Sequence, residues 1–321
     1  MLRVFLSCML IAALPAAAET FPARPITIMV PHAAGGPTDA VSRLVAHAMT
    51  ADLGQQVVIE NVGGAGGTVG TARFAKAQPD GYSLMIHHIS LATTATMYRN
   101  LPYDTLNAFA PIGLVTDVPM TIIARADFPP NTLAELVEHL KANRDKVTYG
   151  HAGLGSGSHL CAMLFMKTIG IKLTGVPFKG TGPAMTSLLG KEIDVMCDQT
   201  TNTTAQIQGG KVKAYAAVTP QRLAKLPDLP TVDEAGIKNL QITIWHGLFG
   251  LKGTPPEVVD RLAASLRKAL ADPAVISRFA ELNTAPSTAA EATPAFLEKK
   301  LKDEVTRWAE IIKDAGAYAE N

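Results

Sequence analysis

Two glycine-rich stretches place hydroxyl and imidazole groups where chain geometry could use them. In residues 30–40, VPHAAGGPTDA, His32 precedes Ala34, Gly35 and Gly36, and Thr38 and Asp39 follow. In residues 151–159, HAGLGSGSH, Gly155 is followed by Ser156, Ser158 and His159. Serine beside histidine suggests acyl transfer, with Asp198 as a third member. The G-x-S-x-G spacing of a nucleophile elbow is missing, however, and α/β chains offer many such trios. Adjacent His87 and His88 suggest metal, but no H-E-x-x-H or paired C-x-x-C accompanies them. Neighbouring strand residues should also point to opposite faces, so no metal is expected. His88, at a strand end, is instead a candidate for facing a cleft. Residues 64–69, GAGGTV, lack the third glycine of a dinucleotide fingerprint, and Gly190-Lys191 is followed by glutamate, so no nucleotide cofactor is expected. Anion recognition by backbone amides remains. Each glycine-rich turn follows a strand and opens a helix, and freed amides at a helix start carry the positive end of its dipole. Hydroxyls of Thr38, Ser156 and Ser158 would add donors, although each serine could equally be a helix N-cap. Asp39 would repel an anion, so its carboxylate should fold back onto amides of its own loop. The bland alternative is that both turns merely connect strand to helix.

Elements that could hold these turns are legible around them. Residues 26–30 form a β-rich run stopped by Pro31. Pro37 suits a first helical position, apolar residues recur at helical spacing from Val41 to Met49, and Gly54 closes the helix. A strand at 57–61, a helix at 68–77 and a strand at 82–86 complete β-α-β-α-β, the pattern of a parallel sheet covered on both faces. Residues 103–124 read as extended, with a break near Asp117 and Pro119. A helix at 132–143 leads to a second series: strand 147–150, the second glycine-rich turn, helix 159–170, strand 171–178, a short helix at 183–189, and strands 193–197 and 212–218. Residues 241–249 read as a segment crossing back, followed by helices at 256–271, 273–282 and 294–314. The architectural repeat and the two crossings predict two α/β domains, 24–118 plus 246–321 and 119–245, with a hinge and a ligand cleft between them.

Bulk properties fit that outline. The chain has 321 residues, 47% of them hydrophobic and 18% charged, with 29 basic and 28 acidic side chains. Arg3 is the only charge in the first 18 residues, and the rest is electrically neutral with no basic stripe, which argues against nucleic acid and anionic membrane. Residues 1–18 read as a signal peptide, with Ala16-Ala17-Ala18 at the cleavage site; its apolar core is too short to span a bilayer. A soluble periplasmic monomer is expected. Cys161 and Cys197 remain after cleavage. Export leaves a bridge open, but both positions have buried-thiol character and two cysteines make no disulfide framework.

The motifs also carry a resemblance. VPHAAGGPTD (30–39) resembles the VPFAAGGxxD motif of Bug-type (TctC-like) extracytoplasmic solute receptors of the tripartite tricarboxylate transporter family. The likeness continues through VIEN (58–61), GGAGG (63–67), PDGY (79–82), 153–160, VPFKG (176–180), DVM (194–196) and LPTV (229–232). It implies a Venus-flytrap periplasmic binding protein that delivers a small organic carboxylate to a membrane permease and performs no chemistry. It implies ligand contacts at Ala34, Gly35, Gly36, Thr38 and Asp39, at Gly155, Ser156, Ser158 and His159, and near Lys179 and Asp198. The sequence departs from the family pattern at His32, where an aromatic is usual, and at Cys197, where phenylalanine is usual. Both changes bear on pocket shape.

Overall fold

The computed structural model describes residues 20–318; the signal-peptide reading lies outside them. The first lobe opens with β1 (Ile26–Val30), α1 (Pro37–Leu53), β2 (Val57–Asn61), α2 (Thr68–Phe74), β3 (Ser83–His88) and α3 (Ser90–Met97). β1 pairs in parallel with β2 and β3. A 17-residue strand, β4 (Phe109–Arg125), then leaves for the second lobe. That lobe comprises α4 (Leu133–Ala142), β5 (Thr148–His151), α5 (Gly157–Ile169), β6 (Thr174–Pro177), α6 (Thr181–Leu189), β7 (Val195–Gln199), α7 (Thr200–Gln208) and β8 (Val212–Ala217). β9 (Thr243–Leu251) returns the chain, and α8 (Pro256–Ala271), α9 (Pro273–Glu281) and α10 (Pro294–Ala315) finish on the first lobe.

β4 shows how one strand serves both lobes. From Phe109 to Pro119 it pairs antiparallel with β9, and from Met120 onward with β7 and β8. The change of partner falls between Pro119, which has no amide hydrogen, and Met120. β9 crosses beside it, so two adjacent antiparallel strands join the two lobes. Isoleucines 26 and 28 of β1, Leu84 and Ile86 of β3, and Val41, Val45 and Met49 of α1 close one face of the first lobe with Leu262 and Leu266 of α8. On the other side α10 buries Trp308, whose indole N–H donates to Glu304 Oε2 at 3.0 Å.

Helix limits follow local signals where these are strong. α1 begins at Pro37 and ends at Gly54 in a left-handed conformation. α3 (SLATTATM) and α7 (TTNTTAQIQ) are absent from the sequence reading. Threonine is a poor helix former, so neither segment announces a helix. Packing decides for α3, which lies against α10 and buries Leu91 and Met97. The cysteines need correction too: Cys161 of α5 and Cys197 of β7 form a disulfide, with Cα atoms 5.9 Å apart. Sequence spacing carries no information about this pairing, because only the packing of α5 on β7 brings the two positions within reach.

Candidate functional site

A small cavity of about 10 Å³, near the volume one water needs, lies between the lobes. His32, Gly36, Pro37, Thr38 and His88 line it from the first lobe, and Ala152, Ser156, Gly157, Ser158, Thr181 and Gln199 from the second. These residues sit at strand ends and helix starts. Pro37 begins α1, Gly157 begins α5, Thr181 begins α6, and Gln199 is the N-cap of α7. Four helix N-termini therefore meet around one cavity, and no lysine, arginine, aspartate or glutamate is in its wall. The lobes touch around it. The Ala33 amide donates to the Lys179 carbonyl at 3.0 Å, and Thr93 Oγ1 donates to the Gly155 carbonyl at 2.7 Å. Gly66, at φ +65°, lies directly against the Leu154 carbonyl, where a side chain would collide.

The first loop is braced as its sequence suggests. Asp39 Oδ2 accepts the Gly35 amide hydrogen and the Arg43 Nε hydrogen, each at 3.0 Å. Oδ1 lies 3.0 Å from Arg43 Nη2 without hydrogen-bond alignment. Burial would raise the pKa of this carboxyl, but bonds from Arg43, Gly35 and Asn61 outweigh it, and the group is held below its ordinary value. Ala34 and Gly35 are exposed and border an outer groove with Phe178 and Pro183, away from the cavity.

Hydroxyl protons in the second loop are largely committed. Ser156 Oγ caps α5, accepting the His159 amide at 3.3 Å, and its own proton goes to the Gly153 carbonyl at 2.7 Å. Ser158 Oγ accepts the Ala152 amide at 3.0 Å and lies 3.1 Å from Ser156 Oγ, so Ser158 holds the proton that is free to turn toward a ligand. His159 Nδ1 accepts the Gly155 amide at 3.4 Å, and burial lowers the pKa of the ring to about 3. Neither serine hydroxyl is bonded to the His159 ring among the described residues, and Asp198 is bonded to Asn202 instead. The serine-hydrolase geometry is therefore not assembled.

The histidines depart most from the sequence reading. Both His87 and His88 meet His32, with ring centroids 5.6 and 4.3 Å away, whereas strand alternation predicts opposite faces. Alternation fails because β3 ends there: Ile89 adopts helical angles, and the Ser90 amide bonds back to His88 Nδ1 at 3.1 Å. Ring nitrogens of the three lie within 4.8 Å of one another, near enough to share a cation. Their tautomers oppose it. His87 Nδ1 accepts the His88 amide at 2.8 Å and His88 Nδ1 accepts that of Ser90, so each neutral ring carries its proton on Nε2, where a metal would need a lone pair. Burial lowers the pKa of His32 to about 4 and those of His87 and His88 well below the usual range.

Among the remaining sequence candidates, Asp198 is fully buried behind the wall, and burial raises its pKa to about 6 against bonds from Asn202, the Gln199 amide and Thr181. Lys179 is exposed and contributes its carbonyl alone. Pro37, Ala152, Gly157, Thr181 and Gln199 line the cavity without having been singled out. Thr181 could have been found, since Gly180-Thr181 comes shortly after strand β6 and precedes Pro183. Gln199 had no such signal, because α7 behind it was illegible.

Known proteins share this organisation. The sequence profile described as "Tripartite tricarboxylate transporter family receptor" matches residues 41–317. A protein of Agrobacterium vitis, named for the TAR-I ttuE-ttuC' intergenic region, is 50% identical over 315 residues, covering 98% of this chain and 91% of its own. The structure of the periplasmic binding protein BugD superposes with a TM-score of 0.91 at 51% identity, over 94% of this chain and all of the other. That of MatC from Rhodopseudomonas palustris, with bound malate, gives a TM-score of 0.88 at 37% identity, over 91% of this chain and 100% of the other.

Proposed function

The chain belongs to the tripartite tricarboxylate transporter receptor family, and from that premise we propose that it captures a small organic carboxylate in the cavity between its lobes and hands it to a membrane permease in the periplasm. The observation carrying this reading is the convergence of four helix N-termini on a cavity whose wall holds no charged side chain. A carboxylate there is balanced by oriented amides and helix dipoles, which offer several donors without the desolvation cost of a buried lysine or arginine. Gly36, Thr38, His32 and His88 contribute from the first lobe, and Ser156, Ser158, Thr181 and Gln199 from the second. Asp39 and Gly155 shape the loops, Ala34 and Gly35 border the outer groove, the Lys179 carbonyl ties the lobes together, and His159 and Asp198 support the wall from behind. The boundaries 24–118 plus 246–321 and 119–245 follow the change of partner in β4, and opening about β4 and β9 both admits the ligand and widens a cavity that otherwise has room for about one water. The structure of MatC, a relative of this chain, contains bound malate, a small carboxylate.

A thermal-shift panel of mono-, di- and tricarboxylates on protein unfolded and refolded to strip carried ligand tests the reading. A ligand at about 100 times its Kd adds roughly 2.7 kcal/mol of stability. A response to neutral or cationic solutes with none to any carboxylate would overturn it. Partnership with a permease predicts that cells lacking the receptor lose uptake of the same acid.

A further inference from the structure

The hydrogens around the cavity point to a narrower ligand class. We propose, resting on the carboxylate reading, that the ligand carries a hydroxyl group, which donates its one hydrogen to Thr38 Oγ1 acting as acceptor, with Gln199 Oε1 as a second acceptor on the opposite lobe.

His246 settles the direction of the first contact. It lies fully buried on β9, with Nδ1 3.1 Å from the Ile244 carbonyl and Nε2 3.2 Å from Thr38 Oγ1. A carbonyl only accepts, so Nδ1 carries the ring hydrogen and Nε2 presents a lone pair. Burial lowers the pKa of His246 to about 3, which keeps the ring in this neutral form. The Thr38 hydroxyl must therefore donate to His246, and Thr38 Oγ1 has only lone pairs left for the cavity it lines. Across the cavity, Gln199 Oε1 is buried and without a partner. A carboxylate alone supplies no hydrogen to either acceptor. Leaving buried acceptors unpaired is what lets a site built for a hydroxyl reject the analogue lacking it. An ammonium group would also donate, but no carboxylate side chain lines the cavity to balance its charge. His246 is not in the wall, so it acts as a positioning residue, through Thr38.

Calorimetric titration of the refolded receptor with matched acids, succinate against malate and propanoate against lactate, tests this. The hydroxy acid of each pair should bind at least about tenfold more tightly. Thr38→Val should bring the two members of a pair close together, Gln199→Met should narrow the gap between them, Thr38→Ser should preserve the preference, and His246→Leu, which frees the Thr38 hydrogen to turn into the cavity, should reduce it. Circular dichroism identifies any variant that fails to fold, and the remaining ones carry the comparison. Succinate binding as tightly as malate, or Thr38→Val weakening both equally, would overturn the proposal while leaving the carboxylate reading intact. L-aspartate outbinding malate would overturn the choice of hydroxyl over ammonium. If no carboxylate binds at all, the receptor reading fails and this one with it.

Discussion

Asp198 shows how much one buried side chain can hold back. Its carboxyl is fully buried, and burial moves its pKa from 3.8 to about 6. Between those values the folded state binds more protons than the unfolded state, so the ionised group opposes folding above pH 6, and that cost fades as pH falls toward 3.8. A shift of this size corresponds to about 3 kcal/mol. Asp198→Asn keeps the shape and removes the charge. It should stabilise the protein by up to about 3 kcal/mol at pH 7.5 and by little at pH 4, as read by urea unfolding at the two pH values; equal effects at both would contradict the assignment. Asp39 behaves oppositely. Its depressed pKa contributes stability above its ordinary 3.8 that is lost as pH falls below it. With Arg43 half exposed that contribution is small, and the value of Asp39 lies in holding the loop.

At the scale of elements, the second lobe is cross-linked where it forms the wall. Cys161 follows the first turn of α5, which carries Ser156 and Ser158, and Cys197 directly precedes Asp198 and Gln199 on β7. Closing a loop with a sequence separation of 36 should contribute about 3–4 kcal/mol through the unfolded state. Cys161→Ser with Cys197→Ser should lower the melting temperature correspondingly, and reductant should lower it in the parent and not in the double variant. Insensitivity of the parent to reductant would show that the bridge is not formed in solution.

Two properties belong to the whole molecule. Closure requires glycine at the lobe interface: a methyl at Gly66 would meet the Leu154 carbonyl of the opposite lobe, and φ +65° adds about 1 kcal/mol of strain. Gly66→Ala should hold the lobes apart, giving a larger radius of gyration in X-ray scattering with ligand and at least about tenfold weaker binding. An unchanged radius and affinity would show that the contact is dispensable. The second property is acid sensitivity. His32, His87, His88, His159 and His246 are buried with pKa values depressed from 6.5. The unfolded chain binds protons there that the folded chain refuses, so stability declines as pH drops below 6.5, by about 2 kcal/mol at pH 5 for each of His32, His159 and His246, with His87 and His88 acting in the same direction. Summed over the cluster this rivals the whole stability of an ordinary domain and exceeds the opposing gain at Asp198. The urea midpoint should fall steeply between pH 6.5 and 5; a flat profile would mean that these rings are hydrated and titrate normally.

The sequence by itself determined what depends on near neighbours along the chain. Pro37 and Gly54 bound α1, short apolar runs mark β1 and β3, and the carboxylate of Asp39 lies within reach of the Gly35 amide; all rest on local sterics and short-range hydrogen bonds. The paired glycine-rich turns were legible for the same reason, as was the second-lobe wall up to Ser158. Tertiary structure alone decided the rest. Threonine-rich α3 and α7 become helices because packing outweighs weak propensity, which also places Gln199 at a helix start. Cys161 meets Cys197, and His32 gathers His87 and His88, because separate elements converge. The direction of the Thr38 hydroxyl was beyond any local reading, since it is set by a histidine 208 residues further along the chain. A hydrogen bond's direction depends on what its partner has already bonded, and that partner is chosen by the fold.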